Sequence, residues 1–155
     1  MTHVVLSIGA NLGDAETMVY QTIHQLSEIL KESKASRIYQ TAPVGVEDQP
    51  EFFNAVVLGE WGGTADELLG RTSKLEEAAG RERIQRWGAR TLDIDIITFG
   101  DQVSHDPKLT LPHPRAHERL FVLIPWIELQ PDAQLIGQGD VSGIIEALQS
   151  AGATL

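Results

Sequence analysis

Apolar residues recur with helical spacing in two stretches of the chain, and each stretch has a polar residue suited to its start. Asp14 can cap the first helix, in which apolar residues repeat every three or four positions until about Lys31. The second helix begins at Thr64, which forms a capping-box pattern with Glu67, and it extends to Gly80. The chain therefore contains two amphipathic helices separated by more than thirty residues of other structure.

Strand patterns surround these helices. Residues 2–9 are apolar and β-branched and run into a glycine-containing turn. Three later segments also read as strands: 37–41, 55–58 and 92–99. The resulting order, β-α-β-β-α-β, is the split unit of ferredoxin-like sheets. A polar hairpin at 101–111 and one or two helices after Arg115 complete the chain. We therefore predict an α+β fold with a ferredoxin-like core and an additional C-terminal hairpin and helices, in a single domain spanning 1–155.

Composition narrows the classes of protein that this chain can belong to. Its 155 residues are 42% hydrophobic and 22% charged, which is typical of a globular domain. The absence of cysteine excludes disulfides, zinc–thiolate sites and thiol nucleophiles. A net charge of −10 disfavours nucleic acid and anionic membranes as partners. No apolar run is long enough for a membrane span, so we expect a cytoplasmic protein.

One segment has the opposite charge to the rest of the chain. Residues 81–90 hold four of the twelve basic residues, and four arginines less Glu82 give a local charge of +3. Guanidinium groups are always charged and form paired hydrogen bonds to phosphate oxygens, so this cluster suits a polyphosphate. A solvated basic loop that pairs with acidic neighbours is the alternative.

Two aspartates follow the arginines directly. In a strand, Asp93 and Asp95 lie on the same face, while Leu92, Ile94 and Ile96 face the other way. Paired carboxylates suit Mg²⁺, which commonly takes one or two carboxylates together with substrate phosphates. An isolated acidic pair is more often the solvent face of an edge strand. Four arginines within fifteen residues of the pair favour a metal–nucleotide site instead.

Other candidate groups give weaker signals. Phe52 and Asn54 could stack on and hydrogen-bond to a flat heterocycle, although Phe52 and Phe53 should point opposite ways and one of them is then core. His113 lies between two prolines and is either a phosphate or base contact or an ordinary surface histidine. No Walker loop, dinucleotide-binding glycine motif or serine nucleophile elbow is present. Any phosphate must therefore be bound by arginines and a metal.

Several motifs together resemble the 6-hydroxymethyl-7,8-dihydropterin pyrophosphokinases of folate biosynthesis. The Arg-Trp-Gly-x-Arg-Thr-Leu-Asp-Ile-Asp block at 86–95 is highly specific, and the others are each moderate. The resemblance runs in order from about Ser7 to Glu128, and the stretch from about Pro131 carries no motif. The other matching segments are 7–14, 48–55, 80–83 and 111–115.

The resemblance implies an enzyme that transfers the terminal diphosphate of ATP to the hydroxymethyl oxygen of a reduced pterin and releases AMP. It implies two Mg²⁺ held by Asp93 and Asp95, and charge neutralisation by Arg81 and Arg90. Residues expected on the pterin are Thr41, Ala42, Val44, Phe52, Asn54 and Phe121. Residues expected on the nucleotide side are Glu76, Arg83, Arg86, Trp87, Ile96, Thr110, His113 and Arg119.

Three departures from the family pattern concern the loops. Ala10 replaces the more usual serine, Ala89 replaces a common proline, and Ile84 and Gln85 stand where some relatives carry a lysine. They affect expectations about loop rigidity and rate and leave both aspartates and the flanking arginines in place.

Two other functions remain open at this point. A Mg²⁺-dependent nucleotidyltransferase would use the same acidic pair but release diphosphate, and a regulatory module would bind pterin or nucleotide without turnover. The paired aspartates argue against the module, because a sensor has no need of a costly acidic pair. We expect a monomer whose partners are small molecules.

Overall fold

A five-stranded antiparallel sheet forms the centre of the fold. The structure is a computed structural model that describes residues 1–42, 50–80 and 92–155. In chain order the strands are β1 (Thr2–Ala10), β2 (Lys31–Ala35), β3 (Tyr39–Thr41), β4 (Phe52–Trp61) and β5 (Asp93–Phe99). They run β2-β4-β1-β5 across the sheet, and β3 also pairs with β4. This arrangement confirms the predicted α+β class and the order of its core elements.

Helices cover both faces of the sheet. Helices α1 (Ala15–Ile29) and α2 (Ala65–Gly80) lie on one face, where Leu6, Leu26 and Leu68 are fully buried. The other face is covered by a 3₁₀ turn (Ala116–Glu118) and by helices α3 (Leu120–Leu129) and α4 (Val141–Ser150). Because each face has its own apolar cluster, strands β1, β4 and β5 are buried on both sides over most of their length.

The two predicted helices differ in how they begin. Thr64 and Glu67 form the predicted capping box: the Thr64 N–H donates to Glu67 Oε1 at 2.8 Å, and the Glu67 N–H donates to Thr64 Oγ1 at 3.1 Å. The prediction for Asp14 is wrong, because its side chain makes no capping hydrogen bond although it occupies the N-cap position. The start of α1 is therefore held by the packing of its buried face.

Strand β2 was not predicted from the sequence. The helical pattern extends to Lys31, but α1 ends at Ile29 and Leu30 is already extended. Residues 31–35 form an edge strand in which no side chain is buried, so the segment lacks the apolar alternation that identifies a strand. Its backbone pairing with β4 defines it.

A β-bulge in β5 adjusts its register against β1. Leu6 pairs with Ile96 and Val5 pairs with Thr98, so Ile97 is the extra residue. Ile96 consequently packs under α1 and α2, whereas Ile97 packs under α3.

Two short hairpins complete the described chain. The predicted hairpin at 101–111 is present as β6 (Ser104–Asp106) and β7 (Leu109–Leu111), and β8 (Gln134–Leu135) pairs with β9 (Gly139–Asp140) between the last two helices. The described residues include no helix with the length and apolar character needed to cross a membrane.

Candidate active site

The acidic pair lies at the start of β5, on the face of the sheet that carries α3. Ile94 and Ile96 are 4% exposed and pack into the cluster under α1 and α2. Asp93 and Asp95 point the opposite way and line a cleft. The period-two alternation predicted for this strand is thus confirmed, and it sets both carboxylates on one surface.

Glu76 fixes the backbone between the two aspartates. Its Oε2 accepts a hydrogen bond of 2.8 Å from the Ile94 N–H. Glu76 lies near the end of α2, so this contact ties the helix to the strand that carries the acidic pair. A carboxylate that accepts a backbone N–H holds that peptide group in one orientation, and the two aspartates on either side are oriented with it.

Two basic side chains converge on Asp95. Its Oδ2 lies 3.9 Å from His113 Nε2 and 3.9 Å from Arg119 Nη1. Burial lowers the pKa of His113; Asp95 opposes this effect, and Arg119 and Arg115 add to it. The Arg115 N–H donates to His113 Nδ1 at 3.2 Å, so a neutral ring carries its proton on Nε2, toward Asp95.

Beside the acidic pair, the cleft has a polar floor built on three neighbouring strands. Gly9 pairs with Asn54 on one side and with Asp93 on the other. Asn54 is 3% exposed, and its Nδ2 donates to Thr41 Oγ1 at 2.8 Å. A Cβ on Gly9 would lie 3.1 Å from Asn54 Oδ1, so glycine leaves the room that this amide occupies.

Two aromatic rings line the cleft above this floor. Phe52 and Phe121 both line the cleft, whereas Phe53 packs into the core under α1, as expected for adjacent residues of a strand. The Arg119 guanidinium lies 5.6 Å from the centre of the Phe121 ring. An aromatic ring and a cation therefore lie side by side in the cleft that also holds the polar floor and the acidic pair.

The cleft has a volume of about 560 Å³ and brings together much of the predicted site. That volume is ordinary for a small-molecule site. Predicted site residues that line it are Thr41, Ala42, Phe52, Asn54, Asp93, Asp95, Arg119 and Phe121. Lining residues that sequence reasoning did not single out for the site are Ser7, Gly9, Arg115, Glu118, Leu120 and Ala153–Leu155.

Four predicted nucleotide residues lie near the cleft without lining it. Glu76 and His113 contact β5 as described above. The Ile96 side chain is buried in the core, and Thr110 on β7 donates from its Oγ1 to the Asp106 carbonyl at 3.0 Å. The remaining predicted residues lie outside the described part of the chain: Val44, Arg81, Arg83, Arg86, Trp87 and Arg90.

The donor set fits a magnesium ion that is bound together with a polyphosphate. Within residues 1–42, 50–80 and 92–155, no group of three or more His, Cys, Asp or Glu side chains could hold a metal. Asp93 and Asp95 supply two carboxylates on one surface. Mg²⁺ is typically held by one or two carboxylates and completes its coordination with waters and substrate phosphates.

Known proteins resemble this chain in sequence along most of its length. A model of the family "7,8-dihydro-6-hydroxymethylpterin-pyrophosphokinase (HPPK)" matches residues 5–131. The 2-amino-4-hydroxy-6-hydroxymethyldihydropteridine pyrophosphokinase of Mycobacterium leprae is 44% identical over 150 residues, which cover 90% of this chain and 78% of that protein. The Bacillus subtilis protein of the same name is 42% identical over 127 residues, covering 80% of this chain and 75% of its own length.

A solved structure matches the fold at low sequence identity. The crystal structure of Plasmodium falciparum HPPK-DHPS superposes with a TM-score of 0.74 at 13% identity. The match covers 96% of this chain and 45% of that one, so this chain spans less than half of the solved protein. At this identity the match bears on the fold alone.

Proposed function

The chain belongs to the 7,8-dihydro-6-hydroxymethylpterin-pyrophosphokinase family, and we propose that the cleft between β5 and α3 is its active site. The enzyme is an ATP-dependent diphosphotransferase of folate biosynthesis. It transfers diphosphate from ATP to the hydroxymethyl group of 6-hydroxymethyl-7,8-dihydropterin and yields AMP and the pterin diphosphate. The pterin oxygen forms a bond to the β-phosphorus, the bond from that phosphorus to the α–β bridging oxygen breaks, and the hydroxyl proton is lost.

One observation supports the location of the reaction more than any other. The aromatic and amide groups suited to a flat heterocycle share one cleft with the paired carboxylates suited to a metal–polyphosphate. Neither group alone is specific. Their adjacency allows a hydroxymethyl group at the pterin edge to meet the phosphates, and correct positioning is the larger part of what phosphoryl transfer requires.

We assign Asp93 and Asp95 to Mg²⁺, with two ions expected. Magnesium bound there would neutralise charge on the ATP phosphates. Neighbouring residues orient the acidic pair. Glu76 orients the intervening peptide group, and His113 and Arg119 lie beside Asp95. The positive charge of Arg119 limits the repulsion between the two carboxylates before substrate arrives.

The pterin would bind at the polar end of the cleft. Phe52 and Phe121 are assigned to the two faces of its ring, because aromatic surfaces stack on flat heterocycles. Asn54, Thr41 and Ala42 are assigned to its hydrogen-bonding edge. The hydrogen bond from Asn54 to Thr41 orients the amide before the ligand binds. Val44 completes this set on sequence grounds.

The arginine-rich segment is assigned to ATP from the family resemblance. Arg81 and Arg90 would neutralise the transferring group, and Arg83, Arg86 and Trp87 would cover the nucleotide. Arginine suits this role because its planar fork binds phosphate oxygens in pairs. Exclusion of water by such a cover would limit hydrolysis of ATP.

Five further residues belong to the nucleotide side of the proposal. His113 and Arg119 can donate to phosphate oxygens from their positions beside Asp95, and the inferred proton on His113 Nε2 makes it a donor at neutral pH. The other three residues would act by positioning their neighbours. Glu76 holds β5 through the Ile94 N–H, and Ile96 anchors β5 in the core. Thr110 donates a hydrogen bond within the β6–β7 hairpin. We further propose that the enzyme acts as a cytoplasmic monomer.

Product analysis tests the proposal. Protein, ATP, Mg²⁺ and 6-hydroxymethyl-7,8-dihydropterin are mixed, and the nucleotides are separated by chromatography, with parallel reactions that lack pterin or metal. We expect AMP only when every component is present. Formation of inorganic diphosphate would indicate nucleotidyl transfer, and pterin binding without any new nucleotide would indicate a regulatory module.

The acidic pair has a matched test of its own. We expect Asp95→Asn to abolish turnover while the fold is retained, because a neutral amide weakens the metal site. Asp101→Asn removes the same charge just beyond the other end of β5, outside the cleft, and should leave the rate unchanged. Full activity of Asp95→Asn would remove the metal assignment, and circular dichroism of both variants verifies the fold.

A further inference from the structure

The chain after α4 leaves the helix in a fixed direction. The Ala153 N–H donates to the Leu148 carbonyl and the Gly152 N–H donates to the Gln149 carbonyl, each at 3.0 Å. Gly152 has a φ of +100°, which is the left-handed conformation that this pattern requires. The two bonds and the positive φ define a Schellman motif, in which the last carbonyls of the helix bind the residues that follow. The segment 153–155 is therefore oriented by the end of α4.

The helix that carries this motif is itself anchored beside the cleft. Val141 is fully buried at its start, and Ile144, Ile145 and Leu148 pack against the cluster under α3. Helix α4 contacts α3, which carries Phe121, and the 3₁₀ turn; Arg119 lies between these two elements. The segment that follows, Ala153–Leu155, lines the same cleft as these two residues.

The lining of the cleft indicates which substrate the segment would meet. Every described residue of the proposed pterin set lines this cleft. Among the described residues of the proposed nucleotide set, Arg119 alone does so. The residues 153–155 thus share their cavity with the pterin groups and with the acidic pair, and the rest of the described nucleotide set does not line it.

The segment adds two apolar side chains to the cleft, those of Ala153 and Leu155. None of its three side chains is charged, Ala153 is half-buried, and Leu155 is 44% exposed, which makes it one of few large apolar side chains left open to solvent in the described chain. An apolar side chain at the wall of a cleft gains free energy when a ligand covers it. We propose that Ala153–Leu155 forms part of the wall of the pterin site, with Leu155 as its main contact, and determines affinity for the pterin. This inference rests on the proposed function of the cleft.

Two substitutions and a matched control test the inference on the whole enzyme. Leu155→Ala shortens the contact at an exposed position, and it should raise the KM for the pterin roughly threefold to tenfold. Gly152→Ala places a side chain on a residue with a left-handed conformation, which is strained for alanine. Because nothing lies within 4 Å of the new Cβ, the substitution makes no steric clash, and its effect comes from a changed direction of the segment 153–155. Gly139→Ala is the control, because Gly139 has the same φ of +100° and equally open surroundings but lies in the β8–β9 hairpin, outside the cleft.

The expected pattern separates the pterin site from the rest of the enzyme. Leu155→Ala and Gly152→Ala should raise the KM and the fluorescence-titrated Kd for the pterin, while the KM for ATP and kcat stay within about a factor of two of the wild type. Gly139→Ala should change none of them. An unchanged pterin KM and Kd in Leu155→Ala, or equal effects of Gly139→Ala and Gly152→Ala, would overturn the inference. AMP formation by the wild type tests the proposed function separately. The ratio of the pterin Kd of Leu155→Ala to that of the wild type tests whether residues 153–155 contact the pterin, even if no AMP is formed.

Discussion

The Gly9→Ala substitution tests the floor of the cleft with a change of one methyl group. Gly9 lies between Asn54 and Asp93 in the sheet, and its φ is not in the left-handed region, so alanine meets no backbone strain there. The new Cβ lies 3.1 Å from Asn54 Oδ1, whereas ordinary contact begins at 3.4 Å. The amide must therefore move by about 0.3 Å, into surroundings with the packing density of a protein interior.

Two opposing free-energy contributions decide the magnitude. Replacing glycine by alanine at an unstrained position stabilises the fold by about 0.4–1 kcal/mol, through the unfolded state. Displacement of Asn54 stretches or breaks its hydrogen bond to Thr41, and a buried amide left without that partner costs about 1–3 kcal/mol. We expect a net loss of stability of about 0–2.6 kcal/mol. Because the displaced amide belongs to the proposed pterin edge, we expect a rise of about tenfold in pterin KM, or ~1.4 kcal/mol.

The assay combines steady-state kinetics with urea unfolding. Gly70→Ala is the matched control: Gly70 lies in α2 with nothing within 4 Å of a new Cβ, so this variant should gain stability and keep its pterin KM. The double variant with Asn54→Ala isolates the contact, because removal of the amide should cancel the further effect of Gly9→Ala. An unchanged pterin KM in Gly9→Ala, or an effect that persists without the Asn54 amide, would refute the reasoning.

Three further predictions address the arginine-rich segment, the edge of the sheet and the second helix. Arg90→Ala should lower kcat more than it weakens ATP binding, as expected for a contact made in the transition state; weaker ATP binding at an unchanged kcat would contradict this. Tyr39→Phe should cost about 1–2 kcal/mol in urea unfolding, because it removes the 2.5 Å hydrogen bond from the Tyr39 hydroxyl to Glu128, and the loss should disappear in a Glu128→Ala background. The backbone and side-chain hydrogen bonds from Thr64 lower the pKa of Glu67 below 4.5, so the capping box stabilises the fold above that pH and is lost as the pH falls through the lowered pKa. Glu67→Gln should therefore show a flatter decline of Tm below about pH 4.5, and parallel curves would exclude this contribution.

Sequence reasoning succeeded where local periodicity and packing agree. β5 is half-buried at its start, so alternation alone set Asp93 and Asp95 on the open face and Ile94 on the buried face. The capping box at Thr64 and Glu67 was equally local, because both of its hydrogen bonds span three residues. Such features depend on few neighbours, and a single sequence contains them.

Sequence reasoning failed where the structure depends on distant partners. β2 has no buried side chain and exists because β4 offers an edge to pair with, so residues 31–35 carry no apolar signal. Residues 153–155 line the same cleft as Phe52 although about a hundred residues separate them in the chain, and no motif marks them. Gly9 could have been found from the register of β1 against β4, since that register sets it beside Asn54.

The position of the cleft follows from how far α3 extends over the sheet. Under the helix, Val5, Val56 and Ile97 form an apolar surface that α3 covers. Along the same strands, beyond the first turn of α3, the sheet carries Ser7 and Asn54 instead. Both side chains are at least 95% buried. Burial of polar side chains is costly unless they have hydrogen-bond partners, and Thr41 provides one for Asn54. The change from apolar to polar residues at the end of α3 is thus what a ligand site requires, and it accounts for the polar floor, the acidic pair and the open cleft together.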